Sequence, residues 1–325
     1  MPAAQLDAKT KRFAYSAIVI YSAIVGLSFL FGKLALTVAT PLDSLAHRFT
    51  VSLSAATIPF LFGWVKLQIK PRDVLAVLPL AVLYPSMFFA FQAFGLKFTS
   101  SAEAGIIHAT VPIFTMIAAA YFLKERTTRL QQLSTLLSVA GVIFIFVMKG
   151  TSINLANMKG TLLILLSALA LAGYSVLARK LTSRMKVMAM TYVMTAIGFL
   201  VFNLMAVGKH VAEGTLSLYF EPFASPVFLL SVLYLGVLSS LISSLLSNYA
   251  LSKLEASKVS VFNHLATLVS IIGGFVFLNE QLAYYHIIGA AVIIAGVLGA
   301  NAGTWGRRKA VLPPIVSDQA MNKNG

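Results

Sequence analysis

The sequence of 325 residues lacks cysteine and carries few charged side chains. Without cysteine it can form no disulfide, thiolate metal site or catalytic thiol. Charged residues make up 11% of the chain, less than half the roughly 25% of a soluble domain. Acidic residues are the scarcest, with 10 against 25 lysines and arginines. Because so few charges could not cover the surface of a soluble protein of this size, a soluble enzyme is excluded.

Apolar residues, in contrast, make up 58% of the chain. They form continuous runs of about the ~20 residues that a membrane helix needs, whereas strands of a membrane β-barrel alternate over ~10 residues. The predicted fold class is therefore an all-α polytopic membrane protein with ten transmembrane helices. The predicted spans are 13–34, 43–64, 74–96, 100–123, 128–148, 160–181, 187–208, 226–251, 257–278 and 283–304.

The basic side chains indicate the orientation, since short cytoplasmic loops are enriched in lysine and arginine. With a cytoplasmic N-terminus, 19 of the 25 basic residues lie on the inner side. The other six are Lys33, Arg48, Lys97, Lys149, Lys159 and Lys209. We therefore expect a multi-pass cell-membrane protein whose N-terminal segment 1–12 and disordered tail 305–325 are both cytoplasmic. The net charge of +15 is then a topology signal and not a sign of nucleic-acid binding.

The two halves of the chain resemble each other. Six residues recur 155 positions later, namely Phe122, Leu123, Glu125, Ala140, Gly141 and Val142. Four more recur 147 positions later, namely Gly26, Ser28, Lys33 and Leu34. Each half, 13–148 and 149–304, therefore holds five spans. Because five is odd, the second copy crosses the membrane in the opposite sense, which is typical of secondary transporters.

Over about residues 13–303 the chain resembles the EamA-type transporters of the drug/metabolite transporter superfamily. The resemblance rests on Gly26-Leu-Ser-Phe29 with Lys33, Pro41 with Ala46-His-Arg-Phe49, Ser101-Ala102 through Pro112-Ile-Phe114, Leu123-Lys-Glu125 with Ala140-Gly141, and Leu278-Asn-Glu280 with Ala295-Gly296. The sequence departs from the pattern at Val25, where tryptophan is usual, and at Thr267, where the first half has Pro112. The resemblance implies a 5+5 inverted fold around a central cavity and export of amino acids, related metabolites or toxic compounds.

Matched stripes of small and polar residues follow span 4 and span 9. His108 lies in the first stripe, and Asn263 and Thr267 lie in the second. Polar and ionisable side chains within a span are costly and are therefore candidates for function, so we expect these three residues to line a substrate pathway. Close helix packing is the alternative, because small residues favour it. For His264 a hydrogen-bonded packing role is an equal alternative.

Other polar candidates lie on spans 1, 3, 6 and 8. Tyr84 and Gln92 share a face of span 3, and span 8 carries a run of serines. Hydrogen bonding between helices would explain this polarity equally well. The full set of predicted pathway residues is His108, Asn263, His264, Gln92, Tyr84, Ser247, Asn248, Ser28, Tyr174 and Thr267.

Four charged residues are candidates for coupling or gating. Glu103 lies about 140° from His108 around the helix, so proton coupling through either residue is a hypothesis without an obvious pair. By the resemblance, Arg48 organises the outer mouth or pairs with Asp43. Glu125 and Glu280 close spans 4 and 9 at opposite membrane faces. For these two we favour structural capping over gating, because polar groups at helix ends need partners.

The sequence thus predicts a secondary-active or facilitative transporter that exports a small metabolite, such as an amino acid or a toxic compound, by alternating access. One alternative is a sugar-phosphate or nucleotide-sugar exchanger, which would need buried basic residues for phosphate. The other is a non-transporting membrane scaffold or sensor.

We expect no enzyme activity and no cofactor, because no catalytic or metal-ligating constellation appears. The expected partners are a small-molecule substrate, the lipid bilayer and H⁺. Gly299 and Gly303 fit packing within the chain or a homodimer.

Overall fold

Helices account for most of the protein. The computed structural model describes residues 8–63, 69–125, 127–148, 155–183, 185–278 and 284–305, which contain helices and no β-strand. Besides two short 3-10 helices, Leu216–Leu218 and Glu221–Ala224, the described residues form ten long helical segments: α1 (Ala8–Ala35), α2 (Pro41–Leu61), α3 (Pro71–Leu96), α4 (Ser101–Phe122), α5 (Arg129–Met148), α6 (Leu155–Leu181), α7 (Val187–Glu213), α8 (Pro226–Lys253), α9 (Ala256–Leu278) and α10 (Tyr284–Trp305). The prediction of an all-α polytopic fold is confirmed.

Seven of the segments in the described residues are long and apolar enough to cross a membrane, the exceptions being α2, α5 and α10. That all ten cross the membrane stays a prediction. The helix ends lie within about five residues of the predicted spans. α1, α6 and α7 extend beyond their apolar runs, because a helix can continue past the hydrocarbon layer into the polar interface. The N-terminal segment therefore becomes helical from Ala8, and the predicted tail beyond Trp305 lies outside the described residues.

Four helices are interrupted at corresponding places in the two halves. α3 contains a π-helical turn over Val82–Met87, and α8 contains one over Tyr234–Ile242. α4 is broken by a turn at 109–110, and α9 by one at 261–262. Pro112 explains the break in α4. In α9, which has Thr267 instead, Ser22 Oγ donates to the carbonyl oxygen of Phe262 at 2.8 Å and satisfies the interrupted backbone.

The helices of the two halves pack on each other reciprocally. α1 packs on α8 and α9, and α6 packs on α3 and α4. The pairs α2 with α7 and α5 with α10 join equivalent helices of the two halves. A two-fold axis between 13–148 and 149–304 would produce this pattern, which supports the predicted duplication. That the second copy is inverted in the membrane stays a prediction.

Candidate substrate pathway

A column of buried polar side chains follows α8 through the interior. Its members are Ser239, Ser240, Ser243, Ser244, Ser247 and Asn248. The hydroxyls of Ser243 and Ser244 donate to carbonyl oxygens four residues earlier, within the π-helical turn. Buried polar groups need hydrogen-bond partners, and polar side chains of neighbouring helices bond to this column.

Arg48 of α2 is buried against the upper part of this column, with 4% of its surface exposed. Its Nε donates to Ser240 Oγ at 2.7 Å, and its Nη2 donates to Ser239 Oγ at 2.8 Å. The guanidinium carbon lies 4.0 Å from the centre of the Phe89 ring, a cation–π contact. Arg48 is therefore enclosed by protein side chains.

A small cavity adjoins Arg48, and Ser28 of α1 and Gln92 of α3 also line it. The volume open to the centre of a water molecule is about 10 Å³, which is enough for about one water. Gln92 is 4% exposed, and its Nε2 has no hydrogen-bond partner among the described residues. Three predicted site residues, Ser28, Arg48 and Gln92, thus line one cavity. We name it the outer cavity, since it adjoins the half of α2 that begins at Pro41, the half that the predicted orientation places outside.

Lower on the column, side chains from three other helices meet α8. Tyr174 of α6 donates to Asn248 Oδ1 at 2.6 Å, and Asn248 Nδ2 donates to Thr191 Oγ1 of α7 at 2.9 Å. The rings of Tyr84 and Tyr174 stack with their centres 4.5 Å apart, and the Tyr84 hydroxyl lies 3.2 Å from Ser244 Oγ. Thr191 was not predicted, because a lone threonine in an apolar helix becomes significant only through its partner.

A second cavity, which we name the inner cavity, lies beside the half of α2 that ends at Leu61. It leaves about 60 Å³ for the centre of a water molecule. Its lining consists of Ala55, Ala56, Pro59, Phe60, Met188, Thr191, Tyr192, Leu241 and Leu245. Because Thr191 lines it and also bonds to Asn248, the polar column connects the inner cavity with the outer one.

The stripes on α4 and α9 contact each other directly. Thr267 Oγ1 donates to the carbonyl oxygen of Gly105 at 2.8 Å, and Ser270 Oγ donates to that of Ser101 at 2.9 Å. A Cβ at Gly105 would lie 2.7 Å from the Ser270 side chain, so the helices approach as closely as glycine allows. These are the contacts of the packing alternative, and a pathway role for Thr267 stays a prediction.

His108, Asn263 and His264 lie outside the linings of both cavities. His108 Nε2 lies 2.7 Å from Ser167 Oγ, and Asn263 Nδ2 donates to the carbonyl oxygen of Ser260 at 2.9 Å. His264 is fully buried, and neither ring nitrogen has a hydrogen-bond partner among the described residues. The hydrogen bonds expected for a packing histidine at position 264 are therefore not present in the described part of the chain.

Glu103 caps the first turn of α4. Its carboxylate accepts from the Ser100 backbone N–H at 2.9 Å, while Ser100 Oγ accepts from the Glu103 N–H at 3.1 Å. This reciprocal capping box gives Glu103 a structural task. Glu280 lies outside the described residues, so the predicted symmetry between it and Glu125 has no structural counterpart here.

Glu125, which follows the end of α4, caps the first turn of α9. Its carboxylate accepts from the backbone N–H groups of Ala256 at 3.0 Å and Ser257 at 3.2 Å, and from Ser257 Oγ at 2.7 Å. Three donors on one carboxylate at a helix N-terminus support the predicted capping role.

We expect Glu125→Ala to lower the free energy of unfolding by about 1–2 kcal/mol, because the buried backbone N–H groups at the start of α9 lose a charged cap. Thermal unfolding of the detergent-solubilised protein measures this loss. Glu255→Gln is the control, since Glu255 forms only a surface ion pair with Lys258. Equal stability of the two variants would show that the cap contributes nothing.

The first turn of α2 and the last turn of α7 hold a polar cluster that sequence reasoning missed. Asp43 Oδ1 lies 3.0 Å from His210 Nε2, so the prediction that Asp43 pairs with Arg48 is wrong. Asp43, His210 and Glu221 line a pocket of about 540 Å³. Burial and the charge of Asp43 raise the pKa of Tyr219, which stays protonated and donates to Asn203 Oδ1 at 2.7 Å. Asp43 and His210 are 167 residues apart, and no local pattern joins them.

The chain is similar to known transporters over most of its length. The model of the EamA-like transporter family matches residues 12–147 and again 158–302. An uncharacterized transporter of Bacillus subtilis (strain 168), YcxC, is 60% identical over 89% of this chain and 92% of its own length. A probable terminal-alkyne amino-acid exporter of Streptantibioticus cattleyicolor is 27% identical over 66% of this chain and 68% of its own. A chain of known crystal structure superposes with a TM-score of 0.68 at 19% identity, covering 90% of this chain and 98% of that one, a likeness of fold alone.

Proposed function

Because the chain belongs to the EamA-like transporter family and is a membrane transporter, we propose that it exports a small metabolite, such as an amino acid or a toxic compound, by alternating access. The observation that carries this proposal is the polar column of α8, which runs between two cavities near opposite ends of α2. In a chain with 58% hydrophobic residues, such a column suits a polar solute better than lipid. Export agrees with the name of the amino-acid exporter to which the chain is similar.

Both halves of the chain contribute to the column. Arg48 and Tyr84 of the first half bond to serines of α8 in the second half, so these bonds cross the boundary between the repeats. A solute whose polar groups replace such bonds would let the halves move relative to each other. The π-helical turns in α3 and α8 lie beside these bonds and are places where a helix bends readily.

H⁺ is the coupling ion that we propose. In addition to Glu103 and His108, the structure offers the Asp43–His210 pair, whose side chains line the pocket of about 540 Å³ and could exchange a proton with it. If Glu103→Gln, His108→Asn and Asp43→Asn all retain transport driven by a pH gradient, proton coupling through these groups is refuted.

Counterflow tests the proposed function. The purified protein is reconstituted in liposomes loaded with an unlabelled amino acid, nucleoside or drug, and uptake of the same labelled compound is measured. We expect transient accumulation for at least one compound and none in protein-free liposomes. Absence of counterflow across the panel, with correctly folded protein, would instead favour the scaffold or sensor alternative.

Tyr174→Phe should reduce that counterflow about tenfold and lower the free energy of unfolding by about 1–2 kcal/mol, because Asn248 Oδ1 loses its buried donor. Tyr121→Phe is the control. Tyr121 lies on α4, its side chain is exposed, and it lines neither the inner nor the outer cavity, so the loss of its hydroxyl should leave transport unchanged. Equal transport by the two variants would argue against the column as the pathway.

A further inference from the structure

Arg48 brings a positive charge into the interior without a carboxylate to balance it. No acidic side chain among the described residues forms an ion pair with it. Two serine hydroxyls and the Phe89 ring are its neighbours. Neutral groups offset only part of the free-energy cost of removing a guanidinium from water. The site therefore suits a negative charge that comes from outside the chain.

The outer cavity also presents two hydrogen-bond donors that are not used. Arg48 donates through Nε and Nη2, which leaves Nη1 without a hydrogen-bond partner among the described residues. Gln92 Nε2, buried on the opposite helix α3, likewise has none there. Both side chains line the same cavity, so two side chains with an unused donor, one of them carrying the unbalanced positive charge, adjoin one small space.

A carboxylate has the complementary properties. It supplies one negative charge and two acceptor oxygens in a plane that matches the guanidinium fork. A doubly charged phosphate would need a second cation, but Arg48 is the one charged side chain among the described residues of this lining. No acidic residue lies among the described residues of this lining, so a solute whose only charge is a protonated amine would find no counter-charge there. The rest of the lining is mostly small or aliphatic, including Leu36, Leu45 and Leu96.

We propose that Arg48, assisted by Gln92, binds the carboxylate of the transported solute, so that the substrates are monocarboxylates, amino acids among them. This proposal rests on the proposed transport function. The cavity now has room for about one water, which is less than a carboxylate needs. The outer parts of α1, α2 and α3 therefore separate to admit the group, as alternating access requires.

Ligand-induced stabilisation of the full-length protein in detergent tests this assignment. The probes are leucine, phenylalanine, 4-methylpentanoate and 3-phenylpropanoate, each compared with its primary amide. We expect at least one acid to raise the unfolding temperature in a saturable way and its amide to fail. Arg48→Gln should raise the Kd of that acid about tenfold or more, because the charged fork is lost.

Two further variants keep the test decisive if Arg48→Gln does not fold. Gln92→Leu removes an amide whose Nε2 has no hydrogen bond to lose, so it should fold and still raise the Kd several-fold. Arg179→Gln is the matched control, since Arg179 donates to the carbonyl oxygen of Leu251 at 2.6 Å, away from the cavity lining, and its loss should leave the Kd unchanged.

Several results would overturn the assignment: binding of amides as tightly as acids, binding unaffected by either cavity variant, or no binding by any acid. Counterflow of neutral or cationic solutes at an unchanged rate in Arg48→Gln would also overturn it while the proposed transport function stands. Conversely, acids that bind through Arg48 in a protein without counterflow would support the site and contradict the transport function.

Discussion

Replacing Gly26 by valine is expected to remove most of the folded protein. A Cβ at this position would lie 2.5 Å from the carbonyl oxygen of Ala266 and 2.6 Å from Val269 Cβ. The first of these atoms belongs to the backbone of α9, so no side-chain rotation relieves the clash. Overpacking of a core typically costs about 1–3 kcal/mol, and here the whole contact between α1 and α9 must open. The yield of monodisperse protein after size-exclusion chromatography and its unfolding temperature measure the effect.

Gly208→Val is the matched control for this substitution. Gly208 is also helical, in α7, and a Cβ there would have nothing within 4 Å. Its replacement adds the same atoms and makes the same change in helix propensity, but creates no clash. If Gly26→Val were as stable as Gly208→Val, the close packing of α1 on α9 would be wrong.

Replacing Asn248 by leucine should have the largest effect on transport among the substitutions within the polar column. It leaves the hydroxyls of Tyr174 and Thr191 without their partner in a buried site. Each unsatisfied hydroxyl lowers the free energy of unfolding by about 1–3 kcal/mol. A solute that passes along the column would also lose the Asn248 amide as a hydrogen-bond partner. We expect counterflow to fall by about tenfold or more and the unfolding temperature to fall with it.

Ser252→Ala, one turn further along α8, controls for changes to this helix. Ser252 Oγ donates only to the carbonyl oxygen of Tyr249, so the variant should transport at the normal rate. Asn248→Asp provides a second comparison, because it keeps the acceptor for Tyr174 but replaces the donor to Thr191. Normal counterflow in Asn248→Leu would mean that the solute does not pass along the column.

The fold was largely predictable from the sequence because a membrane helix has a strong local signal. Apolar runs gave helix ends to within about five residues, and the recurrence of residues near Phe122 at a fixed offset indicated the duplication. The break at 261–262 was not predictable, since Thr267 replaces the proline on which a bend would be inferred. That break depends on Ser22, which is 240 residues away from Phe262.

The candidate site was only partly predictable. Polarity within a span identified Gln92, which lines the outer cavity, Asn248, which belongs to the column, and Tyr84 and Tyr174, which bond to the column. The same criterion selected His108, which lies outside both cavity linings and bonds to Ser167. Polarity alone does not distinguish a side chain that faces a cavity from one that joins two helices.

Alternating access is the central claim. Because the chain contains no cysteine, a single introduced cysteine can be labelled without background from native thiols. Single cysteines replace Ser28 in the outer cavity and Ala56 in the inner cavity, and a membrane-impermeant maleimide is applied to right-side-out and inside-out vesicles. The account predicts labelling of Ser28→Cys only from outside and of Ala56→Cys only from inside. An excess of a transported solute should change the two rates in opposite directions. Labelling of both positions from the same side, or rates that do not respond to the solute, would contradict it.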